Sequence, residues 1–199
     1  MIFPLEKRAQ KIYALSTIPY RHISLETLMR IGNKELPDFD QFLESWIQIL
    51  ISQEPSQVVF SLKEAMSFIK DDKIALQIAK KNVNQHPYLY LLFFENNTNS
   101  FDDYKLLTIG LKAIKDMPEQ YIVRSKVAYL SAAYAGKLHK NETMNYCYWE
   151  AFKSNTNAVN YLRLRYQTKD YKINNKEIMN ILNGLFKQDD KNEFIFEEA

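Results

Sequence analysis

Cysteine, glycine, proline and histidine are all scarce in this 199-residue chain, and each shortage closes off a class of protein. The single cysteine, Cys147, has no partner for an internal disulfide. Its place on an apolar helical stripe suits a small buried hydrophobe in a reducing compartment, so a cytoplasmic location is expected. Four isolated glycines build neither a phosphate-binding loop nor a dinucleotide fingerprint. With only six prolines beside them, they leave little material for the tight turns of a sandwich or barrel. His22, His86 and His139 lie far apart, there is no cysteine pair, and neither an HExxH motif nor an EF-hand loop occurs, so no metal and no cofactor are expected. Charge of one sign is also missing. The 26 basic and 24 acidic side chains leave a net charge of +2, too little for the electrostatic footprint of a nucleic-acid binder. Glu6, Lys7 and Arg8 interrupt the N-terminus before an apolar run develops, and no later run approaches spanning length, so neither a signal peptide nor contact with a membrane is expected.

What is present is helical. Hydrophobic residues make up 46% and charged residues 25%, an ordinary globular balance, and Lys, Glu, Leu, Ile and Ala fill long uninterrupted segments. The periodicity predicts helices over Leu5 to Leu15, Ser24 to Ile31, Pro37 to Ile51 and Ser56 to Ile69, with Gly32 as a break. Phe39, Phe42, Leu43, Trp46, Ile47 and Leu50 form one core-facing stripe, and Trp46 is its packing anchor. Asp71 and Asp72 offer an N-cap to a helix whose narrow face is Ile74, Ala75, Ile78 and Ala79. The run YLYLLFF, Tyr88 to Phe94, is apolar throughout and carries no period. Pro87 suits a first helical turn and no second β-rich segment lies nearby to pair with a strand, so it is assigned to a helix. Glu95 to Ser100 reads as a loop. Ser100 and Asp103 have capping-box spacing ahead of Tyr104, Leu107, Leu111 and Ile114, and Gly110 inside that helix points to a closely packed neighbour.

The stretch from Pro118 to Gln167 carries the clearest organisation. Val123, Val127, Leu130 and Tyr134 recur at helical spacing, and after a polar turn from Gly136 to Asn141 so do Met144, Cys147, Tyr148, Ala151 and Phe152. Two apolar stripes facing each other make a helical hairpin. A further helix runs from Asn157 to Tyr166, and a last one from Asn175 to Lys187 turns Ile178, Ile181, Leu182 and Leu185 inward. The expected architecture is all-α, a right-handed α-solenoid of antiparallel helical hairpins. It forms one helical-repeat domain over 1–187, less regular over 1–70 and repeat-like over 71–187. The remainder, 188–199, holds DDKNEFIFEEA. It reads as an acidic tail, or as a short acidic peptide anchored by Phe194, Ile195 and Phe196 that docks on this protein or a partner.

The hairpin resembles the tetratricopeptide repeat. With Ala132 as the small residue where its first helix meets its partner, Tyr148 and Ala151 fall where that repeat has its aromatic and its second-helix alanine. Met144, Ala135 and Thr156 depart from the pattern. The flow from VRSKVAYLSAAYA through YCYWEAFKSNTNAVNYLRLR, within roughly Tyr88 to Tyr166, also resembles the helical region that accompanies SWIM-type zinc fingers in some bacterial proteins. The Cys and His ligands of such a finger are absent here, so the resemblance implies the helical part alone, without a zinc or DNA role.

Chemistry finds little purchase. His139 and Cys147 are the only base and nucleophile close in sequence, but one sits in the turn and the other on a packing stripe, so no catalytic residues are assigned and the chain is not expected to be an enzyme. The expected function is binding of a protein or peptide through a groove or concave surface, with a homodimer as one form of that. Tyr121, Arg124, Tyr161, Arg163 and Arg165 are the candidate contacts, lying on or near the hairpin yet off its apolar stripes. Thirteen tyrosines and twelve phenylalanines supply aromatic contact area of the kind that partners use. The alternative is a nucleic-acid-associated regulator, in which Arg163, Arg165, Lys169, Lys172 and Lys176 meet phosphate and the array serves docking or dimerisation.

Overall fold

Helix formers without strand partners leave the chain one route to satisfy its backbone, and the computed structural model takes it: among the described residues, 4–16, 24–27, 38–168 and 175–188, all regular structure is α-helical. The chain divides into two compact units, Met1–Ser100 and Phe101–Ala199. The sequence places its own change of character earlier, between 70 and 71. Part of the predicted helix over Ser24 to Ile31, the break at Gly32, Pro37, Lys169, Lys172 and the segment 189–199 lie outside the described residues.

The first unit contains α1 (Leu5–Ser16), α2 (Phe39–Ile51), α3 (Pro55–Ser67), α4 (Asp72–Lys81) and α5 (Tyr88–Asn96). Large side chains hold it. Phe42, Leu43, Trp46, Ile47, Leu50 and Ile51 bury one side of α2, which packs between α1 and α3. The Trp46 ring stacks on Phe42 at 6.4 Å and meets the edge of Tyr13 at 6.1 Å. Pro55, with its φ preset and no amide to leave unpaired, opens α3. The Asp71 carboxylate accepts from the Lys73 amide at 2.8 Å and caps α4, whose buried face is Ala75, Leu76 and Ala79, with Ile74 on the outside. The YLYLLFF run is helical, as assigned, and reaches Asn96, two residues into the predicted loop. It lacks a polar side because α5 packs on both α3 and α4.

Polar side chains tie the segments of this unit to one another's backbone. Buried His86 bonds the Ile51 carbonyl through Nε2 at 2.8 Å, and its Nδ1 lies 3.2 Å from the Tyr88 hydroxyl. Asn97 donates to the Ile69 carbonyl at 2.9 Å. Both Glu64 oxygens accept backbone amides, from Leu25 and Glu26, at 3.0 Å each. The Ser100 amide donates to buried Asp72 at 2.6 Å. Ser100 is therefore not half of a capping box: Asp102 caps the next helix, accepting from the Lys105 amide at 2.7 Å.

The second unit contains α6 (Asp103–Asp116), α7 (Ile122–Lys137), α8 (Asn141–Ser154), α9 (Ala158–Gln167) and α10 (Asn175–Gln188). Consecutive helices from α6 to α9 pack on each other, α7 and α8 most extensively. Pro118 follows the C-cap of α6, and α7 begins only at Ile122, after a turn. The inward face of α7 also differs from the predicted stripe. Val127 is fully buried, whereas Val123, Leu130 and Tyr134 are only half-buried. Arg124, Ser125, Ala128, Ser131, Ala132 and Ala135 complete the buried face. A helix flanked by both α6 and α8 turns its small residues toward its neighbours so that the axes come close.

The hairpin turns at His139, not at Gly136, which lies inside the last turn of α7. With His139 at φ 54°, its amide reaches the Gly136 carbonyl and the Lys140 amide reaches the Ala135 carbonyl, the Schellman arrangement with histidine in the place glycine usually takes. On the far side of α8, Phe152, Leu164 and Ile178 form a core joined by Tyr148, Trp149, Tyr161, Ile181 and Leu182, which fixes α9 and α10.

Candidate functional site

Arg124 corrects the candidate contact set. Its side chain is buried and fully engaged inside the second unit: Nε donates to the Ile114 carbonyl at 2.8 Å, Nη1 to the Ser154 hydroxyl at 2.5 Å, and Nη2 to Glu150 Oε2. Glu150 in turn holds Lys153 at 2.8 Å through Oε1, and the Ser154 hydroxyl donates to the Glu150 carbonyl at 2.8 Å. One guanidinium thus ties the end of α6 to α7 and to the last turn of α8. A second layer lies beside it, where the Ser125 hydroxyl donates to the Ala151 carbonyl at 2.8 Å and Asn160 of α9 donates to the Asn155 carbonyl at 2.7 Å. These groups satisfy one another, so they hold the scaffold and present nothing to a partner.

The remaining candidates separate. Tyr121 is half-buried at the N-cap of α7, without a side-chain cap bond. Tyr161 is half-buried in the core of α8, α9 and α10, its ring 6.1 Å from Phe152. Arg163 and Arg165 are both exposed, but residues two apart on a helix point roughly 200° apart, so they do not share a face. Arg163 leans toward α7, its guanidinium carbon 4.4 Å from the centre of the Tyr129 ring. Tyr129 meets Tyr148 edge-on at 5.5 Å.

That cation marks where two exposed stripes join. On α7, Ile122, Lys126, Tyr129 and Ala133 recur along one outer side, and Ile122 is 60% exposed. On α9, Val159, Leu162 and Tyr166 stand beside Arg163 at exposures of 56%, 48% and 67%. Neither helix contains a carboxylate. Arg163 is legible in the sequence as a contact, but the α7 stripe and the two aliphatic residues are not. The available signal was the i, i+3, i+7 spacing of Val159, Leu162 and Tyr166, together with the absence of acids from both helices.

Burial pushes the Cys147 thiol up to about 12, with Glu150 adding to the rise, so it stays protonated and inert at neutral pH. Desolvation likewise raises the phenols of Tyr134, Tyr146 and Tyr148. Among the described residues no group of three or more His, Cys, Asp or Glu side chains is placed to hold a metal ion, and no helix is long and apolar enough to cross a membrane. Compared with known proteins, the chain matches no family model, no curated protein and no solved structure.

Proposed function

We propose that this chain is a non-catalytic helical-repeat protein of tetratricopeptide-like build, which binds a protein or peptide partner on the outer side of α7 and α9. The observation that carries this is the exposed apolar series Ile122, Val159, Leu162 and Tyr166, set among Lys126 and Arg163 on helices without a single acid. Exposed apolar residues gathered along one side of neighbouring helices are characteristic of an interaction surface, whereas scattered ones need no explanation. Cations with no carboxylate among them favour an acidic segment that brings its own apolar side chains. The succession of mutually packed helices from α6 to α9, and the burial of Ala132 and Ala151 in the two arms of the hairpin, support a repeat-like build.

A Lys126→Glu, Arg163→Glu, Leu162→Ser triple variant changes exposed positions only and tests this reading. Immobilised wild-type chain is expected to retain proteins from extract that the triple variant does not, with retention unaffected by nuclease. Equal retention by both chains overturns the reading. Retention that nuclease abolishes, with a steep salt dependence, transfers the surface to the nucleic-acid alternative.

A further inference from the structure

The first unit carries an opening of opposite character. A cleft of about 180 Å³ lies between α2, α4 and the turn joining α3 to α4. Leu43, Ile47, Phe68 and Ile78 make its walls, and Ile74, 41% exposed, extends the apolar surface to the rim. Three carboxylates, Asp40, Glu44 and Asp71, line it against one cation, Lys70. Asp71 is occupied in capping the Lys73 amide. Asp40 and Glu44 are exposed and stand one helical turn apart, so both present charge on the same side.

Size and charge together restrict the occupant. Small-molecule pockets run from roughly 300 Å³ upward, so this cleft is too small for a cofactor, but it has room for one branched or aromatic side chain. Apolar walls favour such a group, and the acidic rim disfavours any segment that brings carboxylates with it. We propose that the cleft is a docking site for a partner protein's segment that inserts one large apolar side chain and pairs flanking lysines or arginines with Asp40 and Glu44. The site is independent of the α7–α9 surface, and its opposite charge keeps the two from competing for the same segment.

The experiment uses three labelled peptides titrated into the full chain by fluorescence anisotropy: Lys-Lys-Leu-Leu-Lys-Lys, the same with every lysine replaced by glutamate, and the same with both leucines replaced by alanine. The Lys-Leu peptide is expected to bind at least about tenfold more tightly than either control. Asp40→Lys with Glu44→Lys should weaken it by about tenfold or more, and Ile74→Ser should weaken it at unchanged salt dependence. Lys126→Glu with Arg163→Glu should leave it unchanged, which separates this site from the α7–α9 surface. Circular dichroism of each variant, all altered at exposed positions, checks that the fold is retained. Absence of saturable binding overturns the proposal. So does equal binding of the alanine peptide, which would mean charge alone, or binding that survives the Asp40 and Glu44 reversals.

Discussion

The two units solve the same problem, fixing helices against one another, with different materials. The first relies on bulk: Phe42, Trp46, Phe93 and Phe94 fill its interior, and single polar side chains such as His86 and Asn97 each close one backbone group. The second relies on closeness: α7 brings alanines and serines to its neighbours, and the space is organised by the buried group of Arg124, Glu150 and Ser154. Bulk tolerates adjustment, because a large side chain can shift rotamer or be exchanged for one of like volume. Close approach around a paired charge does not, because each partner's burial is acceptable only while the other is present.

The sharpest way to break this contrast is Arg124→Ala, which leaves Glu150 buried beside Lys153 alone. A loss of about 3–5 kcal/mol in urea unfolding is expected. Replacing Arg124 by Met together with Glu150 by Leu should recover most of it, since an apolar pair needs no compensation. A loss from Arg124→Ala no larger than that of a surface substitution would show that closeness alone holds the unit. Next in size is Ala132→Leu at the α7–α8 contact, where overpacking should cost about 1–3 kcal/mol. The volume-conserving Leu62→Met in the first unit should stay under about 1.5 kcal/mol in the same assay. Equal sensitivity at the two positions would remove the distinction. The smallest change is His139→Gly, which relieves a left-handed residue at the hairpin turn and should raise stability by roughly 1 kcal/mol, read as a higher midpoint.

Sequence legibility follows the same division. Where large apolar residues repeat, as along α2, periodicity identifies both the helix and its buried side. The predicted ends of α1, α3 and α10 fall within two residues of those observed, since Pro55 and the apolar spacing mark them locally. In α7 the same procedure picks the correct helix but only one residue of its buried face, Val127. Val123, Leu130 and Tyr134 are only half-buried, whereas Ala128, Ser131, Ala132 and Ala135 join Arg124 and Val127 on the buried face, because a helix with neighbours on two sides also buries its small residues. Arg124 was illegible for a related reason. An arginine reads as a surface residue until its carboxylate, 26 positions further along, is brought to it by the hairpin. The proposed contact surface is only partly legible: spacing reveals the α9 stripe, but its union with Ile122 and Lys126 depends on Arg163 reaching Tyr129 across two helices.

The arginine also sets an order of events during synthesis. Its hydrogen-bond partners lie 10 positions behind it and 26 and 30 positions ahead. As the chain emerges, α6 and α7 can pair early, but the guanidinium has no reason to leave water until Glu150 and Ser154 have been made. The interior of the second unit therefore closes in step with the last turn of α8. A nascent or truncated chain ending before Glu150 keeps a hydrated cation at the helix contact until its counter-charge arrives.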